Sequence, residues 1–220
     1  MFVILFFILL YYLCIILPYK KTTYYKITHN THRSVIRDKG KLGEYNIYCT
    51  LKKYEKTGAK FLFNLYIPLP NGKTTEIDVI MIHKNCVFVF ESKYYSGWIF
   101  GNENNKYWTQ VLNCSKEHFY NPILQNKTHC YALKNFLPHD VKIIPVTVFS
   151  NKCCFKNISI NKGSNVIHNN ELFKTVNFYL KQNDDKYSVD YIFDKLYCFS
   201  QVSEEIKLKH VNDVESTSHM

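Results

Sequence analysis

Two short stretches carry residue types that can work together: Glu76-Ile77-Asp78-Val79 and, after a brief loop, Phe90-Glu91-Ser92-Lys93. As a hairpin turning at Lys84-Asn85, they bring His83 opposite Cys86, and opposed residue numbers sum to 169. That register predicts Asp78 across from Glu91, and Glu76 across from Lys93. Directly opposed residues share a face, with Cβ atoms about 4.5–5.5 Å apart. Two carboxylates so close suit one hard divalent cation, which prefers oxygen ligands. Without a cation they repel, and a partly buried pair tends to keep a proton. Lys93 follows Glu91 by two residues and so projects from the same face. An ammonium there can orient or help deprotonate a metal-bound water, or stabilise charge growing on a phosphate. The plainer alternative is a set of solvated strand ends with Glu76–Lys93 as an ordinary cross-strand pair. A D…ExK spacing alone does not separate the two readings.

The elements that must position these residues can be read from periodicity. Thr75–Ile82 alternates, with Ile77, Val79 and Met81 on one face and Asp78, Ile80 and Ile82 on the other. Apolar residues on both faces predict a sheet covered on both sides. Ile80, Ile82, Val87 and Val89 continue the acid-bearing face, which sets the acids at the rim of a core. A helix is predicted from near Lys41 to Tyr54, with Glu44, Ile47, Tyr48 and Leu51 on one stripe and Gly58 after it. Glu44 on an apolar stripe is expensive unless it meets a cation or donors, although the dipole also favours an acid near a helix start. Strands are predicted at Lys60–Pro68, Thr75–Ile82 and Cys86–Lys93, with an Asn71-Gly72 turn between the first two.

Asn121-Pro122 reads as an N-cap with proline at the first helical position, opening a helix to about Leu137. Lys142–Phe149 reads as a strand whose Pro145 indicates a sheet edge or bulge. A short strand at Val166-Ile167, a helix capped by Asn170 and running to about Gln182, and a helical segment at Val189–Ser200 follow. The tail after Val211 is expected to fray. Strands and helices in this order predict an α/β fold with a mixed central sheet flanked by helices.

Composition supports a packed domain: 46% of the 220 residues are hydrophobic and 16% aromatic, and no internal repeat is visible. The net charge is +10, but charge does not identify the partner. Seven basic residues and one acid lie between Lys20 and Lys41, directly after an apolar run, where attraction to anionic lipid head groups explains them as well as nucleic acid does. The eight cysteines contain no CxxC pair and read as reduced, buried thiols. The nine histidines show no HExxH or clustered spacing, so no zinc site is indicated.

Phe2–Leu17 is apolar or aromatic throughout and is followed by Pro18, Tyr19, Lys20 and Lys21. As a helix it spans roughly 25 Å, slightly short of a bilayer core of about 30 Å, and Tyr19 with the lysines can make up the difference. A cleaved signal peptide would carry a basic n-region and a small-residue cleavage site, and neither is evident. The expectation is therefore an uncleaved single-pass anchor over residues 1–19, with Lys20 and Lys21 at the lipid head groups. Basic flanks on the carboxyl side place the domain in the cytoplasm. Residues 20–40 are expected to be a polar, basic tether.

A wider set of motifs now falls into order: Gly43-Glu44, the TEID stretch at Thr75–Asp78, FVFESKYYSGWIFG at Phe88–Gly101, Trp108-Thr109-Gln110, and NPILQN at Asn121–Asn126. The set resembles the nuclease-related domain (NERD) family, grouped with the PD-(D/E)xK nucleases, over roughly Leu42–Phe149. The resemblance implies a restriction-endonuclease-like core in residues 41–150, with 151–211 as a carboxyl-terminal extension and 212–220 as a tail. It implies Glu44, Asp78, Glu91 and Lys93 as the catalytic set, with Gln110 and Gln125 in support. The expected activity is Mg²⁺- or Mn²⁺-dependent phosphodiester hydrolysis of nucleic acid, DNA first. Asp78, Glu91 and the Ser92 carbonyl would hold the metal, Lys93 would activate water, and Glu44 would take a second metal or fix the first through water. The alternative is a non-catalytic, membrane-tethered module that binds nucleic acid or protein on the same fold. Trp98 and Trp108 are expected to pack rather than stack on bases, and Gly97 and Gly101 to make tight turns around a short strand containing Trp98 and Phe100.

Overall fold

The structure is a computed structural model that describes residues 2–182 and 187–218. Position 1 of the expected anchor, 183–186 of the expected extension and 219–220 of the expected tail lie outside the described residues. The chain opens with helix α1 (Phe2–Tyr11), continues through a π-helical stretch (Tyr12–Ile16), and enters helix α2 (Leu17–Lys20). Val3–Lys20 is the one helix among the described residues long and apolar enough to cross a membrane, a test that signal sequences near an amino terminus also pass.

The expected tether is not extended. It forms helices α3 (Thr23–Thr28) and α4 (His32–Arg37), capped by the side chains of Thr22 and Thr31. Tyr19, Tyr24, Ile27 and Val35 are buried in the main core. Basic composition hid them because Lys26, Arg33 and Arg37 share the same short helices and stay exposed. Tyr19 therefore does not reach a lipid interface. Its ring packs edge-on against Tyr25, His32 and Tyr45, and its hydroxyl donates to the Asn30 carbonyl at 2.5 Å.

Helix α5 (Lys39–Leu51) is capped by Asp38 and runs on as a 3-10 turn (Lys52–Thr57). Strands β1 (Lys60–Pro68), β2 (Thr74–His83) and β3 (Cys86–Lys93) then form an antiparallel meander. Its hairpin register is the expected one, with Val79 facing Phe90 and His83 facing Cys86. Next come three short strands, β4 (Gly97–Asn102), β5 (Tyr107–Leu112) and β6 (Ser115–Tyr120), and helix α6 (Pro122–Lys134). Asn121 caps α6, its side chain accepting from the Ile123 N–H at 2.9 Å. Strand β7 (Ile143–Phe149) runs parallel to β3, followed by β8 (Cys153–Ser159) and β9 (Val166–His168). Helices α7 (Leu172–Gln182), α8 (Val189–Tyr197) and α9 (Glu204–Ser218) complete the chain.

Two mixed sheets result, ordered β1-β2-β3-β7-β9 and β6-β5-β4-β8. The chain is thus α/β as expected, with a second sheet that the sequence reading reduced to one short strand around Trp98 and Phe100. Pro145 lies in an interior strand, but β9 pairs only from Thr147 onward, and the Pro145 carbonyl accepts instead from Asn165 Nδ2 at 3.0 Å. The turn before α7 is capped through Glu171, which accepts the His168 N–H at 3.0 Å, and not by Asn170. The segment after Val211 continues as helix α9 to Ser218. Of the cysteines, Cys86 and Cys153 are buried as expected, but Cys14, Cys114, Cys154 and Cys198 are exposed.

The large sheet is dry on both faces: Phe61, Phe63, Phe88 and Phe90 are buried on one, and Leu62, Ile80 and Val89 on the other. The small sheet buries one face only, around Ile99, Trp108, Phe119 and Phe149. Trp108 stacks on Phe149 with centroids 6.1 Å apart. Gly101 sits inside β4 rather than at a turn, because a Cβ there would collide with the Trp108 ring. Trp98 departs from its expected packing role and is 51% exposed.

Candidate functional site

The site is built where β2 and β3 stop pairing. The antiparallel ladder ends at Val79–Phe90, one step before Asp78, while Glu91 pairs along its other edge with Thr147 of β7. Asp78 Oδ2 instead accepts the Ser92 N–H at 2.7 Å. On the β1 side, Phe63–Val79 and Leu65–Ile77 pair, whereas Asn64, the residue across from Asp78, is unpaired with φ at 50°. Positive φ at a non-glycine residue is costly, and asparagine bears it best. Asn64 is thereby freed from the ladder, and Glu91 is left unpaired only on the edge that faces Asp78.

Glu91 is 1% exposed. Its Oε1 lies 2.7 Å from Lys93 Nζ and its Oε2 2.9 Å from His129 Nε2. His129, buried on α6, has Nδ1 2.7 Å from Thr75 Oγ1. The arrangement that satisfies every partner has Nε2–H donating to the carboxylate and the Thr75 hydroxyl donating to Nδ1. Lys93 also donates to Gln125 Oε1 at 3.1 Å. The expected Glu76–Lys93 pair does not form. Glu76 accepts from the Tyr66 hydroxyl at 2.7 Å, directly across β1.

Glu44 lies within this group because α5 packs tightly on β3. A Cβ at Gly43 would strike Ser92 Oγ, so only glycine allows the approach. The Glu44 carboxylate is buried, accepts from the Tyr24 hydroxyl at 3.2 Å, and is also hydrogen-bonded by Asn64.

Electrostatics divide the acids. Burial, then the charges of Glu91 and Glu44, push Asp78 well above the carboxylate range. Burial, with Glu76 adding repulsion, pushes Glu44 up to about 7 despite its donors Asn64 and Tyr24. Burial also works against the Glu91 charge, but Lys93 and His129 overcome it and hold the group below its ordinary value. Burial disfavours the Lys93 ammonium as well, yet Glu91 brings it up to about 12. Lys93 is thus a fixed cation near neutral pH.

Asp78 and Gln125 open onto a cleft of about 500 Å³. Its walls include Lys106, Tyr107 and Tyr120 from the small sheet and His210 and Asp213 from α9. His210 pins α9 to β2, its Nδ1 3.0 Å from Thr74 Oγ1. Gln110 is not part of this cleft. Its Nε2 donates to the Ser96 carbonyl at 2.7 Å, and it lines a separate, smaller cleft of about 260 Å³ together with Lys93.

Among the described residues, no three side chains of His, Cys, Asp or Glu converge as a ready metal cage. The donor chemistry still fits a hard divalent cation held by two carboxylates, a backbone carbonyl and water. Burial and two neighbouring carboxylates oppose the Asp78 charge, an opposition that a cation relieves. Sequence reasoning missed His129, Thr75, Tyr24 and Asn64. For His129 a signal existed: it follows Gln125 by four residues and so shares its helix face. Tyr24 was hidden in the supposed tether.

The sequence profile of the family described as "Nuclease-related domain" matches residues 39–150. An uncharacterized protein of Bacillus anthracis is 32% identical over 174 residues, covering 79% of this chain and 82% of that one. No solved structure matches with significance. With a matched segment that holds Glu44, Asp78, Glu91, Lys93, Gln110 and Gln125, and a relative aligned over most of its length, the chain belongs to the nuclease-related domain family.

Proposed function

We propose that this protein is a divalent-metal-dependent phosphodiesterase acting on nucleic acid, DNA first, on a restriction-endonuclease-like core. The observation that carries the reading is a buried acid pair beside a fixed ammonium, with one acid of the pair, Asp78, lining a cleft. Asp78, Glu91 and the Ser92 carbonyl would hold Mg²⁺ or Mn²⁺, with Glu44 contributing directly or through water. The ion supplies a bound water of lowered pKa and neutralises charge in the transition state. Lys93 holds its proton and faces the space where phosphate charge grows, a stabilising rather than a basic role. Gln125 aims Lys93. His129 orients Glu91, as a partner to a ligating carboxylate does. Lys93 and His129 already hold both oxygens of Glu91, so an ion would take the remaining lone pair of an oxygen or displace Lys93 from Oε1.

That same closed arrangement around Glu91 favours a second reading, in which the domain binds nucleic acid or protein without cutting. Asp78→Ala separates them. In full-length protein in lipid nanodiscs with Mn²⁺, the variant should lose about 10³-fold in cleavage rate, the scale of several kcal/mol of metal-derived stabilisation. Wild-type protein that cuts no DNA or RNA with either metal would favour the binding module.

Val3–Lys20 is proposed as a single-pass anchor with the domain on the cytoplasmic side and Lys20 and Lys21 at anionic lipid head groups. Because Tyr19 packs into the core, the helix enters the domain without slack and holds it close to the bilayer.

A further inference from the structure

We infer that the outward face of the small sheet is a platform for single-stranded nucleic acid, which delivers an unpaired strand to the cleft at Asp78. The inference rests on the phosphodiesterase reading of that cleft. Pairing places Trp98 across from Val111, Phe100 across from Thr109 and Tyr107 across from Tyr120, and opposed residues share a face. Alternation puts Ile99, Trp108 and Phe119 on the other face, which is the buried one.

A half-buried antiparallel sheet ordinarily shows water a polar face. This one shows rings: Trp98 is 51% exposed, Tyr107 41% and Tyr120 42%. Cations accompany them. Lys156 Nζ lies 5.0 Å from the Trp98 ring centroid and Lys106 Nζ 5.2 Å from that of Tyr107. Lys116 and His118 occupy the same face on β6. None of the outward-facing positions of the four strands, all of them described, is an acid. The acid of β6, Glu117, pairs with Gln110 and alternates to the inner face.

Exposed rings interleaved with cations and free of acids match one ligand chemistry, unpaired bases on a phosphate chain. Bases stack on aromatic faces while the cations follow the backbone. Paired bases in a duplex are already stacked and offer no free face. The platform also runs into the site, because Tyr107, Tyr120 and Lys106 wall the same cleft as Asp78. At about 500 Å³ that cleft has the size of a small-ligand pocket. It holds nucleotide-sized groups, and a duplex is far too wide to reach its floor.

The test measures binding by full-length protein in nanodiscs, with EDTA present so that nothing is cut. The probes are fluorescein-labelled oligo-dT, oligo-U of equal length, and a DNA duplex. Both single strands should bind at least about tenfold tighter than the duplex, and the tighter of the two names the preferred sugar. Tyr107→Ser combined with Tyr120→Ser should weaken single-strand binding about thirtyfold, from roughly 1 kcal/mol per stacked base. Lys116→Glu with Lys156→Glu should weaken it as well, and serves if the tyrosine variant melts early. Equal or tighter duplex binding, or unchanged single-strand affinity in the folded variants, overturns the inference. Equal cutting and binding of duplex and single strand would leave the phosphodiesterase standing without the platform. Tight single-strand binding with no cutting in Mn²⁺ would do the reverse.

Discussion

The two sheets use their aromatic residues in opposite ways. In the large sheet Phe61 and Phe63 stack with each other, as do Phe88 and Phe90, and none meets water. In the small sheet Trp108 alone is fully buried, while Trp98, Tyr107 and Tyr120 face solvent. The buried acids differ in the same sense. Glu103, in the turn between β4 and β5, accepts the Asn161 N–H and approaches Lys127 Nζ and Ser164 Oγ, all at 2.9 Å. The Asn161 N–H and Lys127 bring its pKa down to about 2. Glu44, beside the large sheet, has too few donors for its burial and is pushed up to about 7. A satisfied acid stabilises a turn, whereas an unsatisfied one marks where a ligand's charge belongs.

The contrast can be broken by substitution, beginning with the largest effect. Phe88→Ala in the large sheet should cost about 3–5 kcal/mol by chemical denaturation, because the cavity cannot collapse between two packed layers. A loss under about 1 kcal/mol would mean that this core is looser than its burial implies.

The pH dependence of stability comes second. A carboxyl whose pKa is raised on folding keeps a proton that the unfolded chain releases, so stability falls as pH rises between the two values. For Glu44 that window runs from 4.5 to about 7, and the full effect is about 3 kcal/mol. Glu44→Gln should flatten the decline, and a titration of stability from pH 4 to 8 on both proteins measures it. A decline of equal depth in the variant would assign it to another group. Glu103 has the opposite sign: its contribution is complete above 4.5 and is lost only as pH falls through about 2. The smallest effect belongs to the platform. Trp98→Ser should change stability by less than about 0.5 kcal/mol, as expected of an exposed position. A larger loss would make Trp98 a packing residue after all.

The same contrast explains what the sequence made legible. KFLFNLYIP and CVFVFESK have apolar residues on both faces and a tight turn between their partners, so the strand bounds and the 83–86 register could be read directly. The Asp78 and Glu91 neighbourhood followed from that register. SKEHFY at β6 presents no such pattern, because only Phe119 of its alternate residues enters a core. The β5–β6 turn depends on Asn113 adopting a φ of 54°, a signal less distinct than Asn-Gly. No strand could therefore be predicted around Gln110. Tyr24 and Asn64 were illegible because their roles come from tertiary contact with Glu44, and local periodicity carries no trace of it. Chain order did the same to His129, whose partners Thr75 and Glu91 lie 54 and 38 residues earlier.

The central claim is that Asp78 and Glu91 share one divalent cation. Electron paramagnetic resonance of Mn²⁺ added to full-length protein in nanodiscs tests it without reference to any substrate. A bound Mn²⁺ signal at one ion per chain in the wild type, abolished in Asp78→Ala while the fold persists, is the predicted result. The same bound signal in both proteins, or only free Mn²⁺ in the wild type, would contradict the account.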